Sequence, residues 1–255
     1  MIIRKKIRMR RVYEILRDSI RLNNDKKYIR SLRNKYNGKR CFIIGNGPSL
    51  GIHDLEKIKG EISFGTHRIY EIFDKTSWRP DYYLAQDYKL IYTSKESIKS
   101  IDVNDKLIAI PGRMPIIKIK GARYIKMIFE EFYPRLPQFS DNIENGIYEG
   151  YTVSYMCLQV AAYMGFKEIY LLGIDHNYSI ELDENGNLYK NNGVRDHFSD
   201  NDKTENVPQT FKSTLAYKAA KEYADRNGIK IYNATRGGKL EVFERKTLEE
   251  VLGIE

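Results

Sequence analysis

Short apolar runs separated by polar, glycine-bearing turns set the rhythm of this chain. Arg40–Ile44, Ile62–Phe64, Asp81–Ala85, Lys106–Ile110, Lys167–Leu172 and Ile229–Tyr232 have the length and the β-branched or aromatic content of buried strands, and Ala122–Phe129 predicts an edge strand. Helical patterns alternate with them. Thr152 or Ser154 can cap a helix that is almost wholly apolar from Met156 to Met164 and stops at Gly165. Pro208 to Arg226 reads as an amphipathic helix ended by Asn227-Gly228, and a short helix capped by Ser49 or Asp54 follows the first strand. Residues 9–36 predict one or two helices, with Val12, Leu16 and Ile20 on a narrow stripe between Arg-rich faces. Residues 176–208 are polar, with a hairpin tip at Asp183–Gly186 and a turn at Asn191–Gly193. Strands separated by helices predict an α/β, Rossmann-like, mostly parallel sheet flanked by helices. The expected organisation is a basic helical arm over residues 1–37 and a body over 38–255, with a polar lid loop over about 176–208.

Charge divides the chain differently from hydropathy. Residues 1–40 hold fifteen Lys and Arg against three Asp and Glu, whereas residues 41–255 hold 28 against 31. The net charge of +9 therefore belongs to the arm. Such an arm suits either an anionic leaflet, met peripherally, or a solvated helix face docked on the body. No run of 18 apolar residues predicts a membrane span, and no apolar segment follows the basic N-terminus as in a secretory signal. Cys41 and Cys157 sit in apolar runs, which predicts buried thiols, a reducing compartment and a cytoplasmic location. No RNA- or DNA-binding pattern is present, so nucleic acid is not an expected partner.

The chemistry-bearing clusters all follow strands, where ligands bind in sheets of this class. Gly45-Asn46-Gly47-Pro48-Ser49 lets a backbone approach a phosphate closely, or makes a tight turn. It is neither the dinucleotide fingerprint nor a Walker A loop. Asn233 and Thr235, in Asn233-Ala-Thr-x-Gly-Gly238, can hydrogen-bond a base or ribose, or make only a polar turn. Asp87 and Asp175 can hold Mg²⁺, bond a sugar, or cap the next segment. No metal-binding histidine pair appears. His53 and His67 read as local hydrogen-bonders. His197, inside the lid, reads as either a general base or an idle surface residue.

Four segments together resemble one superfamily: Phe42–Leu50, Tyr163–Asp175, His197-Phe198 and Asn233–Gly238. It comprises the MptE-like proteins (the archaeal 6-hydroxymethylpterin diphosphokinases and related bacterial domains) and the central domain of motility accessory factors. The first two segments are equally similar to the bacterial sialyltransferases of glycosyltransferase family 42. The sialyltransferase likeness implies metal-independent, inverting transfer from a CMP-linked nonulosonic acid to a surface glycan or lipid-linked acceptor. In it, His197 is the base. Gly45, Asn46, Gly47, Ser49, Thr66, Gln86 and Thr152 hold the nucleotide, and Tyr178 and Tyr189 stabilise the departing phosphate. The diphosphokinase likeness implies ATP, Mg²⁺ at Asp87 and Asp175, and a pterin alcohol; the Asn233–Gly238 segment matches this branch better. A non-catalytic nucleotide-binding protein is a third reading, and a homo-oligomer stays open.

Overall fold

The computed structural model describes residues 22–112, 114–199 and 206–254. The stripe of Val12, Leu16 and Ile20 lies outside them. Nine strands form one sheet in the order β11-β10-β7-β1-β2-β3-β4-β5-β6. They are β1 (Arg40–Ile44), β2 (Ser63–Thr66), β3 (Tyr82–Ala85), β4 (Asp105–Pro111), β5 (Ala122–Ile128), β6 (Ile147–Tyr148), β7 (Glu168–Leu172), β10 (Lys230–Asn233) and β11 (Glu244–Arg245). Every pairing in it is parallel. A two-stranded antiparallel hairpin, β8 (Ile180–Leu182) and β9 (Leu188–Lys190), stands apart and carries the predicted tip at Asp183–Gly186.

Alternation along the strands explains why the sheet is covered on both faces. Cys41 and Ile43 join Phe64, Tyr82 and Leu84 in one core, while Phe42 and Ile44 join Tyr83, Ala85 and Ile108 in the other. The first core is covered by α5 (Val153–Tyr163) and α6 (Thr210–Arg226). The second is covered by α2 (Ile52–Lys57), α3 (Tyr88–Thr93), α4 (Lys95–Ser100) and α7 (Leu248–Leu252). Both thiols are buried, as their apolar runs predict.

The basic segment joins the body well before residue 38. Helical residues 22–31 form α1, from which Ile29 enters the first core with Leu32 just beyond it. Asp25 accepts from the Tyr124 amide at 3.0 Å. The backbone amides of Asn34, Tyr36 and Gly38 then bond the carbonyls of Tyr163, Met164 and Gly165. The expected edge strand, β5, is not outermost, because β6 pairs beyond it. The α2 cap is also not Ser49: Asp54 accepts from the Gly51 amide at 2.8 Å, which frees Ser49 for another partner.

Candidate functional site

The chain reverses direction across the sheet at β1, which lies between β2 and β7. At such a switch point the loops leaving adjacent strands diverge and open a crevice. Here the crevice is a cavity of about 840 Å³ along the carboxyl ends of β7 and β1 through β5. Gly45, Asn46, Gly47, Thr66, Gln86, Asp87, Thr152, Asp175, Tyr178 and His197 all line it.

The glycines have a steric reason. The Gly45 amide bonds the Leu172 carbonyl, and the Gly47 amide bonds that of Gly173, both at 2.8 Å. This stitches the β1 and β7 loops together. A Cβ on Gly45 would collide with the Gly173 carbonyl, and one on Gly47 with the Asp175 carboxylate. Ser49 lies behind the wall and donates to Asp175 Oδ2 at 2.7 Å. Burial pushes the Asp175 carboxyl up, and the Ser49 bond partly opposes this.

Three buried acceptor oxygens at this crevice lack a protein donor. Asn46 Nδ2 donates to the Thr66 carbonyl at 3.0 Å, and Gln86 Nε2 to the Glu149 carbonyl at 3.1 Å. Each leaves its side-chain oxygen without a partner, as does Asn177. Buried polar atoms are rarely left so. Exocyclic amines and ribose hydroxyls are donors that would satisfy them.

The lid is fastened across this crevice. Within the lid, Asp196 accepts from the Ser179 amide and hydroxyl. The Phe198 amide bonds the Asn46 carbonyl at 2.9 Å, and Asn206 Nδ2 reaches Asp87 Oδ2 at 2.6 Å. His197 is therefore held beside the Gly45–Gly47 turn. His67 lies within electrostatic reach of His197. Burial brings His67 down to about 4 and His176 likewise to about 4, so both rings are neutral at physiological pH. His176 Nε2 pairs with Thr214 Oγ1 at 2.8 Å. Burial pushes the Tyr178 hydroxyl well up.

Several expected site residues lie elsewhere. Tyr189 is exposed on β9, outside the cavity. Asn233 and Thr235 do not line it either. Asn233 donates to the Leu240 carbonyl at 2.8 Å and accepts from the Thr235 amide, while Thr235 accepts from the Ile174 amide at 3.1 Å. Their polar atoms are used up buttressing the β7 loop. Asp87 Oδ1 caps α3 by accepting from the Lys89 and Leu90 amides. Among the described residues no three His, Cys, Asp or Glu side chains converge as a ready metal site. A Mg²⁺ ion bound mainly through substrate phosphates needs only one or two carboxylates, and Asp87 and Asp175 both face the cavity.

A family model for "6-hydroxymethylpterin diphosphokinase MptE-like" proteins matches residues 18–181, well over half of the chain. The chain belongs to the MptE-like family. Its fold is also that of a solved structure, the MAf glycosyltransferase from Magnetospirillum magneticum AMB-1, with a TM-score of 0.52 at 16% identity. The likeness covers 85% of this chain and 35% of the other, so this chain spans about a third of that protein's length. A search of the curated proteins finds no match.

This MptE-like site also contains Glu149, Tyr151, His176, Asn177 and Asp196, for which the sequence pattern predicts no ligand role. A local signal exists for two of them. His176 directly follows the Gly-Ile-Asp run after β7, and Tyr151 directly follows Gly150 at the head of α5. Both have left-handed backbones, at φ 52° and 57°, as does His67 at φ 46°. Non-glycine residues in that region are strained and concentrate at functional sites.

Proposed function

We propose that this MptE-like chain is a glycosyltransferase that uses a nucleotide-activated sugar, a CMP-linked nonulosonic acid, and transfers it to a glycan or lipid-linked acceptor. The observation that carries this reading is the Phe198–Asn46 bond. It sets a lid histidine beside a turn whose neighbours offer buried, unpaired acceptors to a nucleoside. Asn46, Thr66 and Gln86 hold the nucleotide in this reading, with Thr152 at the head of α5. His197 takes the proton from an acceptor hydroxyl, and the freed oxygen attacks the anomeric carbon from the face opposite the phosphate. The bond from the anomeric carbon to the phosphate oxygen then breaks, and CMP departs with that electron pair, giving inversion. Tyr178 donates its hydroxyl proton to the departing phosphate as a hydrogen bond.

Cavity charge supports a donor with a single phosphodiester. Asp87, Glu149, Asp175 and Asp196 line the space against Arg68 and Lys89 among the described residues. A bare triphosphate meets repulsion there. The basic residues before α1 would bring the site to an anionic leaflet that carries lipid-linked acceptors.

Family membership supports a second reading, Mg²⁺-dependent diphosphate transfer from ATP to a pterin-type alcohol. Asp87 and Asp175 would then hold the ion, which screens the phosphates and polarises them. Calorimetric titration with CMP, CDP, UDP, GDP, ATP and AMP, each with and without Mg²⁺, separates the two. Glycosyl transfer predicts metal-independent CMP binding. Mg²⁺-dependent ATP binding with CMP ignored overturns it in favour of diphosphate transfer. No binding of any nucleotide overturns both.

A further inference from the structure

The far wall of the cavity, at the ends of β4, β5 and β6, differs in chemistry from the β1–β3 side. Pro111, Met127, Phe129 and Tyr151 face it. In the sheet order β5 is four strands from β1, about 19 Å at the usual strand spacing. A group held at Gly45–Gly47 and Gln86 leaves this wall free for a second substrate. We propose that the wall is the acceptor subsite and takes a neutral pyranose, laid with its C–H face on the Phe129 ring. This rests on the glycosyl-transfer reading above.

Phe129 is 63% exposed although it directly follows β5 and lines the cavity. A large ring left in water at the mouth of a cavity is free to stack on a ligand. Its negative π face attracts the slightly positive C–H groups of a sugar face. Tyr151 supplies a fixed second ring. Lys212 Nζ donates to its hydroxyl at 3.0 Å and lies 4.6 Å from the ring centroid, and Phe132 packs against it edge-on at 5.7 Å.

Polar recognition comes from Glu149. Its amide bonds the Ile128 carbonyl at 3.1 Å, which sets Glu149 beside the strand end that carries Phe129. Gln86 links its backbone carbonyl to the β3 loop. The carboxylate accepts hydrogen bonds from sugar hydroxyls. Burial raises this carboxyl; the Tyr151 amide and the Lys212 charge oppose the rise, and the charges of Asp87 and Glu131 add to it. Lys212, the cation nearby, is engaged with Glu131 and Tyr151. An acidic sugar is repelled here, and a neutral one is not.

Saturation-transfer NMR tests this with the methyl glycosides of glucose, galactose, mannose and N-acetylglucosamine, and with methyl glucuronide. Each is run with and without CMP on the full chain, on Phe129→Ala and on Phe129→Trp. At least one neutral glycoside is expected to receive saturation on one C–H face. The signal falls at least fivefold in Phe129→Ala and returns in Phe129→Trp, while methyl glucuronide stays silent. Phe129→Ala folds normally, since its ring is largely in solvent, and it is expected to keep wild-type CMP affinity by calorimetry. Silence from all four neutral glycosides, an unchanged signal in Phe129→Ala, or equal binding of the glucuronide overturns the proposal. Failure of CMP to bind any of the three proteins instead overturns the donor reading, and the glycoside signals still decide the wall.

Discussion

At the scale of single residues, a base needs proximity to the nucleotide and freedom to exchange a proton. The Phe198–Asn46 bond keeps His197 beside the Gly45–Gly47 turn, where the proposed nucleotide binds. His67 and His176 are less suited, since burial holds their rings neutral down to about pH 4 and His176 is also tied to Thr214. His197→Ala is therefore expected to lower kcat by about 10²–10⁴, the usual contribution of a general base. CMP affinity should change little. Steady-state rates alongside calorimetry check this, and an unchanged kcat would remove His197 from the mechanism. Much of this residue-scale picture is legible in the sequence, because strand ends are. Asn46, Thr66, Gln86 and Asp175 each lie at or just after the last residue of a strand and so fall at one edge of the sheet. Glu149 and Tyr151 were not legible in the same way. The strand they follow, β6, has two residues, too few to show any periodicity. Asn233 and Thr235 read as ligand contacts because a polar cluster after a strand is the same signal whether its side chains face a ligand or a neighbouring loop. Only the Leu240 and Ile174 partners distinguish the two.

Among the elements, the contact between the β1 and β7 loops determines the shape of the crevice. Gly45→Ala forces a methyl into the Gly173 carbonyl, and two stitched backbones cannot part without losing their amide bonds. Overpacking of this kind costs about 1–3 kcal/mol. A lower urea midpoint with weakened nucleotide binding is expected, and a midpoint within error of wild type would show that the loops can separate freely. Asp196 has the corresponding role inside the lid, whose two arms it ties together at Ser179. Asp196→Ala is expected to lower kcat without moving the melting temperature by more than about 2 °C, since a surface loop contributes little to global stability. Limited proteolysis should then cut faster between residues 183 and 199. Equal cleavage rates would count against the clasp. The longer elements follow the hydrophobic pattern because each buries a face of its own. The pattern does not reveal α3 and α4, since each is six residues long with a single fully buried side chain, Ile91 or Ile98.

Over the whole molecule, two stability predictions follow from what is buried. Neutral burial of His67 and His176 means that the unfolded chain binds protons below pH 6.5 that the native chain does not bind until about pH 4. Their contribution is full above pH 6.5 and is lost as pH falls, by about 1.4 kcal/mol per pH unit per ring. The raised carboxyls of Glu149 and Asp175 act in the opposite sense, so the net fall is shallower. Urea unfolding at pH 7.5 and 5.0 should show the loss, and His176→Asn should reduce it; an equal loss in the variant would exclude His176 as a source. The second prediction concerns the basic segment, where charge and packing set different boundaries. Charge alone suggests that residues 1–36 are a detachable arm. Yet Ile29 and Leu32 are 2% and 1% exposed, and burying two such side chains contributes about 3–6 kcal/mol. That is comparable to the whole stability of a typical domain. Removing residues 1–21 should leave a soluble chain with a cooperative melt, whereas removing 1–36 should lower the melting temperature by at least about 10 °C or leave the protein insoluble. If the basic residues before α1 carry the affinity for an anionic leaflet, the shorter truncation alone abolishes co-sedimentation with phosphatidylserine vesicles. Undiminished co-sedimentation would move the contact to the folded body. A 1–36 truncation as stable as the full chain would mean that α1 contributes nothing to the core.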